Sequence, residues 1–182
     1  PYDVFVAADM KYPRTVFDNR MAVSTPKTYA YGNLVLWSTK PEIPPSLQTL
    51  HLSTIKHIAL ANPKTAPYGQ AALEVLKRTS LLDSLSTKLV YGESVAQASQ
   101  FIFSGAADIG FTAKSIVVAS GLKNKGHWVP VNQKLYTPIA QGIVLLKADN
   151  KQQEQAKKFY NFMFSDAATA ILNTFGYSRT KP

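Results

Sequence analysis

Two stretches of the chain combine residue types and spacing suited to binding an anion at the start of a helix. One is Ala66-Pro67-Tyr68-Gly69, where proline suits the first helical position and the small residues let a ligand approach the backbone. The other begins at Gly92, and its Ser94 and Gln97 have the spacing of a capping box. That cap places Val95 in the first turn of the helix. The N–H groups of this turn have no acceptor within the helix and lie at the positive end of its dipole. The pattern predicts an oxyanion site, and the simpler alternative is two ordinary helix starts that bind water or a side chain.

Other kinds of chemistry have less support. The chain contains no Cys, which excludes a thiolate nucleophile, a thiolate metal site and a disulfide framework. Its three histidines lack the spacing of metal ligands, three acidic residues show no acid–base pairing, and no P-loop, G-x-G-x-x-G or G-x-S-x-G motif is present. These residues are His51, His57, His127, Asp83, Glu93 and Asp108. The sequence therefore predicts a protein that is not an enzyme and carries no cofactor and no metal cation.

The charge distribution favours a small anionic partner over nucleic acid. The net charge is +9, from 20 Lys and Arg against 11 Asp and Glu. The basic residues are scattered, and the longest clusters are Lys123-Asn124-Lys125 and Lys157-Lys158, without interleaved aromatic residues. Scattered lysines solvate a surface and create a general positive field, so nucleic acid is not a predicted partner.

Alternating strand and helix patterns predict an α/β fold with mainly parallel pairing. The predicted strands cover residues 4–8, 29–38, 57–61, 89–91, 108–113, 128–131 and 139–146. The predicted helices cover residues 9–19, 67–78 and 94–103, a stretch around 156–163, and 166–175, which ends at Gly176. Residues 29–38 and 139–146 are long enough to connect two structural units, so the first unit is discontinuous in sequence.

An apolar strand is predicted at the beginning of the chain, as part of the core of the first unit. Val4, Phe5 and Val6 form a nearly continuous apolar run, which predicts a strand paired on both sides in a parallel sheet. Because no segment that could pair with this run precedes it in the 182 residues, we expect the first unit to lack its N-terminal part. Two C-terminal helices are expected to pack against the same sheet, and the predicted apolar faces and aromatic core positions are Ala156, Phe159, Tyr160, Met163, Phe101, Phe103 and Phe162.

Five segments, in this order and spacing, resemble the molybdate-binding proteins that serve ABC importers. They are PYDVFVAADMKYP, KTYAYGNLVLWS, NPKTAPYGQAALEVL, GESVAQASQFIFSGAADIGFTAKS and YTPIAQGIVLLK. The resemblance implies a two-lobed, type II periplasmic-binding-protein fold, the Venus flytrap. Residues 1–33 and 137–182 would form a partial lobe I, whose N-terminal strand–helix–strand is absent, and residues 34–136 would form lobe II.

The resemblance also implies the site and its ligand. Molybdate or tungstate would be held by neutral donors, here the backbone N–H groups of Tyr68 and Val95, with the Tyr68 hydroxyl as an additional donor. The family's other donors lie in an N-terminal strand–turn–helix that this chain does not contain, so the 182 residues alone are expected to bind weakly. Ala113 stands where some relatives place a Tyr ring over the ligand, and its methyl group cannot donate.

The resemblance implies a transport role as well. The protein would capture its ligand in the periplasm or at the outer face of the cytoplasmic membrane and deliver it to an ABC transporter permease. The alternatives are a binding protein for sulfate or another tetrahedral oxyanion, and a regulatory effector-binding domain of the same fold. No signal peptide or transmembrane run occurs in these residues. The apolar edge of the incomplete lobe predicts a dimer or strand exchange.

Overall fold

The protein consists of two compact units in the computed structural model, which describes residues 2–119, 121–122, 124–147 and 153–181. The first unit is Pro1–Gly32 with Ile139–Pro182, and the second is Asn33–Pro138. The chain therefore crosses from one unit to the other after Gly32 and again after Pro138. Lys123, in one of the two basic clusters, lies outside the described residues. No helix in the described ranges has both the length and the apolar character needed to cross a bilayer.

The order of elements alternates strands and helices over most of the chain. The strands are β1 (Val4–Ala7), β2 (Lys27–Gly32), β3 (Leu34–Ser38), β4 (Ile58–Ala61), β5 (Leu89–Gly92), β6 (Ile109–Ala113), β7 (His127–Pro130) and β8 (Ile139–Leu145). The helices are α1 (Lys11–Asp18), α2 (Pro67–Arg78), α3 (Leu82–Leu85), α4 (Val95–Phe103), α5 (Lys114–Val117), α6 (Gln153–Phe162) and α7 (Asp166–Thr174). Short 3₁₀ turns lie at Thr49–His51, Ser86–Lys88 and Gln133–Leu135.

The sheet of the first unit is antiparallel, with strand order β1-β8-β2. The predicted parallel pairing of the first strand is wrong for the partner that the described residues supply, because β1 is antiparallel to β8. Within the described residues β1 pairs only with β8, Val4 lies opposite Leu145, and the Val6 side chain is 43% exposed. An apolar run of four residues does not specify the direction of its partners, and among the described strands of this sheet the longer, more buried β8 takes the central position.

One face of this sheet and the C-terminal helices enclose the core of the first unit. The buried residues are Tyr29, Ala30, Ile143, Leu145, Ala156 and Tyr160, and Met163 packs against them. The core positions predicted for Phe159 and Phe162 are wrong, because both side chains are exposed. A three-stranded sheet covers only a narrow stripe of α6, so aromatic residues beside that stripe remain in solvent.

The second unit has a mixed five-stranded sheet in the order β5-β4-β6-β3-β7. Among the described strands, the parallel pairs are β4 with β5 and β4 with β6, whereas β3 is antiparallel to both β6 and β7. The β4-α2-β5-α4-β6 run confirms the predicted βαβαβ unit. The expectation of mainly parallel pairing is wrong, because strands at the chain crossings return in the opposite direction.

The predicted strand 29–38 is divided at Asn33 into β2 and β3, which belong to different sheets. The Asn33 carbonyl accepts the Lys114 N–H at 2.8 Å, and the Leu34 N–H donates to the Tyr136 hydroxyl at 3.2 Å. The first bond extends the pairing of β3 with β6, so Asn33 already belongs to the second unit. In the same unit Phe101 packs against the core, whereas Phe103 is exposed, contrary to its predicted core position.

Candidate anion-binding site

Three strand ends meet at one edge of the second unit's sheet. Because β4, β5 and β6 are parallel, their last residues, Ala61, Gly92 and Ala113, lie at the same edge. The helices α2, α4 and α5 follow these strands along the chain. The carboxyl edge of parallel strands is where ligand crevices form in α/β folds, so the helix starts at this edge are the candidate site.

The first turn of α2 contains Tyr68. Ala66 precedes the helix with extended dihedral angles (φ −121°, ψ 124°) and makes no side-chain cap, and Pro67 takes the first helical position. Tyr68 is therefore the second helical residue, and its side chain is only 5% exposed. The helix supplies no acceptor for an N–H at this position.

Gly69 brings the start of α2 against the end of β4. A Cβ built on Gly69 would lie 2.1 Å from the Ala61 carbonyl oxygen, a distance that no side chain tolerates. Glycine is thus required here by close packing, although its cost inside a helix is about 1 kcal/mol relative to alanine.

The first turn of α4 contains Val95. Ser94 is the N-cap, with extended backbone, and its Oγ accepts the Gln97 N–H at 3.2 Å. The predicted bond from the Gln97 N–H to the Ser94 side chain is therefore confirmed. The Gln97 side chain accepts the Glu93 N–H at 2.6 Å, one residue earlier than a capping box requires. Val95 is therefore the first helical residue, and within the described part of the chain no group accepts its N–H.

The two helix starts are joined through their loops. The Asn62 N–H donates to the Gly92 carbonyl at 2.7 Å, and the Thr65 hydroxyl lies 3.5 Å from the Glu93 carbonyl oxygen. The structure thus brings the loops that lead to Tyr68 and Val95 together at adjacent strand ends. Ala113, at the third strand end, is 2% exposed and offers only a methyl group.

Ser99 and Thr112 are residues at this edge that sequence reasoning missed. Their hydroxyl oxygens lie 2.5 Å apart, and the Ser99 hydroxyl donates to the Val95 carbonyl at 2.6 Å. Both side chains are buried, at 4% and 0% exposure. The available signals were a Ser four residues after Val95 and a Thr within the apolar strand β6, and each also fits ordinary packing.

Glu74 connects α2 to the segment that leaves the second unit. Its Oε2 accepts the Thr137 N–H at 2.6 Å, and its Oε1 accepts from the Gln70 amide at 3.2 Å. Partial burial acts to raise the pKa of Glu74, but these hydrogen bonds and the nearby Arg78 outweigh it and hold the pKa below its usual value. The carboxylate is therefore ionised at neutral pH and serves as an anchor for the returning chain.

Asp108 lies at the opposite edge of the sheet, where β6 begins. Its carboxylate pairs with the Lys40 ammonium and accepts the N–H groups of Lys56 and His57 at 2.7 and 2.9 Å. Burial acts to raise the pKa of Asp108, but these partners outweigh it and lower the pKa. Asp108 is thus a structural carboxylate. Among the described side chains, no three His, Asp or Glu residues converge as metal ligands would.

Two α/β units linked by two chain crossings, with helix starts at a carboxyl sheet edge, define the class of two-lobed solute-binding proteins. The chain belongs to the bacterial extracellular solute-binding protein family, whose model matches residues 1–178. The resemblance inferred from the five sequence segments, and the predicted fold class, are confirmed.

Relatives within this family include proteins named for molybdate. The chain is similar to the molybdate-binding protein ModA of Rhodobacter capsulatus, at 38% identity over 178 residues, which cover 97% of this chain and 69% of the relative. It is equally similar to ModA of Azotobacter vinelandii, at 38% identity over 97% of this chain and 71% of the relative. The solved periplasmic molybdate-binding protein of Azotobacter vinelandii superposes with a TM-score of 0.89 at 36% identity, covering 100% of this chain and 80% of that one.

Proposed function

We propose that the protein is the substrate-binding component of an ABC importer and that it captures molybdate or tungstate. The observation that carries the proposal is the pair of joined helix starts that bear Tyr68 and Val95 at adjacent strand ends. The similarity to proteins named molybdate-binding, at 38% identity, supports the choice of ligand. In this account the ligand is the cargo, and no chemical step is performed on it.

The donors at these helix starts match the chemistry of the ligand. Molybdate and tungstate are fully deprotonated near neutral pH and present only acceptor oxygens. Backbone N–H groups donate without adding a counter-charge, so the anion is held by dipoles and hydrogen bonds. The net charge of +9 adds a long-range field that draws anions towards the protein.

Two other oxyanions define the alternatives. Phosphate keeps a proton near neutral pH and would need an acceptor that first-turn N–H groups cannot provide. Sulfate has the same charge and shape as molybdate, and only the size of the cavity separates the two. Delivery to a membrane permease and a location in the periplasm or at the outer face of the cytoplasmic membrane complete the proposal, and membership of the extracellular solute-binding family supports both.

Calorimetric titration tests the choice of ligand. The protein, expressed from its whole reading frame, should bind molybdate and tungstate tightly and should bind sulfate and phosphate at least about a hundredfold more weakly, a difference of about 2.7 kcal/mol. Equal affinity for sulfate would reassign the protein to the sulfate-binding alternative. No binding of any of the four anions would reject the oxyanion proposal itself.

A further inference from the structure

We propose that Thr112 and Ser99 form a buried hydroxyl relay that positions the first turn of α4 for its ligand. The inference rests on the proposed function, because it assigns these residues to the site that contains Val95. The side chains belong to different elements, Thr112 to β6 and Ser99 to α4. The relay therefore connects a strand in the interior of the sheet to the turn that presents the Val95 N–H.

The direction of the relay follows from counting protons. The Val95 carbonyl can only accept, so the Ser99 hydroxyl donates its one proton to that carbonyl, at 2.6 Å. The Thr112 hydroxyl must then donate to the Ser99 oxygen, 2.5 Å away. The order is Thr112 to Ser99 to the Val95 carbonyl, and both hydroxyls are almost fully buried.

Apolar packing holds the last turns of α4 more firmly than its first turn. Phe101 and Ile102, near the end of the helix, pack in the core of the second unit, whereas the buried apolar residue nearest the first turn is Ala98, whose side chain is small. Hydrogen bonds are directional, and in a buried setting they are stronger than in water. Two short bonds in series therefore fix the height and rotation of the first turn relative to β6.

A Ser side chain that bonds to the carbonyl four residues earlier is common in helices and by itself indicates only a satisfied hydroxyl. Two features go beyond that explanation. A second hydroxyl from β6 completes the chain of bonds, and the accepting carbonyl belongs to the first residue of α4, whose N–H has no acceptor among the described residues. A purely structural role predicts a change in stability, whereas a positioning role predicts a change in ligand affinity.

The double substitution Ser99→Ala with Thr112→Val separates these roles. It removes both hydroxyls at nearly constant volume, and replacing both partners of a buried bond by apolar groups of the same shape costs little stability. The protein offers a matched control in Ser46→Ala with Thr49→Val. There the two hydroxyls lie 2.8 Å apart and the Thr49 hydroxyl donates to the Pro44 carbonyl at 2.7 Å.

The control pair lies away from the candidate site. It precedes β4, and the segment just after it accepts hydrogen bonds from Lys88, the residue before β5. That edge of the sheet is opposite to the one where β5 ends. The control substitution also removes the acceptor of the Thr49 N–H, so it perturbs a local hydrogen-bond network as the test substitution does.

Molybdate calorimetry and ligand-free melting are measured together on all variants of the protein expressed from its whole reading frame. We expect the Kd of the Ser99→Ala/Thr112→Val variant to rise on the order of tenfold, while the control pair and Thr112→Ser, which keeps the hydroxyl, bind like the parent. If the test variant melts much lower than the control, Thr112→Val alone is used, and a rise of roughly threefold is expected. If the folded test variant binds molybdate with the affinity of the parent, the positioning role of Ser99 and Thr112 is wrong and the proposed function still stands. A parent that binds no oxyanion overturns the proposed function and the relay's role with it.

Discussion

The backbone N–H of Asn62 donates to the carbonyl oxygen of Gly92 over 2.7 Å. Asn62 follows β4 and Gly92 ends β5, so this bond extends the parallel pairing of the two strands into the loops that begin α2 and α4. The first turns that contain Tyr68 and Val95 are therefore coupled through the main chain. A substitution that displaces one loop is expected to disturb the other.

Gly69→Ala tests the packing of α2 against β4. Helix propensity alone predicts stabilisation by about 1 kcal/mol, because alanine is the better helix former. The Cβ would lie 2.1 Å from the Ala61 carbonyl, so we expect destabilisation by about 1–3 kcal/mol and weaker oxyanion binding. Urea unfolding and calorimetry measure the two effects.

The control for this substitution is Gly121→Ala, where the added Cβ would have no neighbour within 4 Å. It should change neither stability nor binding appreciably. A stabilised Gly69→Ala variant would show that α2 can shift at no cost, and that its start is not held in place by close packing.

Asp108→Asn tests the structural carboxylate at the opposite edge. The folded-state pKa of Asp108 is lowered, so its contribution to stability is present above the unfolded pKa of about 3.9 and is lost as the pH falls through the folded-state value. We expect the variant to be less stable at pH 7 by roughly 1.5–3 kcal/mol, the range for hydrogen bonds to a charged group. The difference from the parent should shrink in strong acid.

Urea unfolding at several pH values measures this difference, and Asp83→Asn, at an exposed carboxylate, provides the comparison. A stability difference that stays constant from neutral pH down to strong acid would contradict the assignment of the effect to the Asp108 charge. Oxyanion affinity at pH 7 should be unaffected, because Asp108 lies where β6 begins and the candidate site where it ends.

The unpaired edge of strand β1 leads us to expect self-association of the 182-residue chain. It pairs with β8 alone among the described residues, and the Asp3 carbonyl accepts the Leu146 N–H at 2.9 Å. By alternation along the strand, the Val6 N–H points to the unpaired edge. Such an edge is a template for another strand, so we expect a dimer in light scattering.

Val6→Pro removes the outward N–H without breaking the pairing of β1 with β8, and should convert this dimer to a monomer. Val6→Thr keeps the N–H and the β-branched shape, and should remain dimeric. A parent chain that is monomeric at every concentration tested would reject edge pairing through β1.

Local signals predicted the helix starts well. Pro67 begins α2 and the Ser94 side chain caps α4, because a fixed φ angle and a side-chain acceptor act within a few residues of the chain. The five-segment resemblance predicted the family and fold class. That Tyr68 and Val95 bind an oxyanion stays a prediction until a ligand is measured.

The errors and omissions concern relations across the sheets. A short apolar run such as Val4 to Val6 does not encode whether its partner is parallel, so β1 was expected in a parallel sheet and is antiparallel to β8. At the break, Asn33 accepts a hydrogen bond from Lys114 and Leu34 donates one to Tyr136, and both partners are distant in sequence. The link between Ser99 and Thr112 likewise exists only after α4 packs on β6.

The backbone N–H of Val95 is the donor on which the account depends most directly. Val95→Pro would remove that N–H while keeping the helix, because Val95 is the first helical residue and Ser94 has the extended backbone that favours a following proline. Helix α2 already begins in this way, with Pro67 after an extended Ala66. Val95→Ala keeps the N–H and serves as the matched control.

The decisive measurement is the molybdate Kd of these two variants of the protein, expressed from its whole reading frame, by calorimetry after ligand-free melting has established that both are folded. We expect Val95→Pro to lose about 1.5–3 kcal/mol of binding free energy, the range for a hydrogen bond to a charged group, and Val95→Ala to bind almost as the parent does. A folded Val95→Pro variant that binds molybdate with the affinity of the parent would show that the start of α4 is not part of the site.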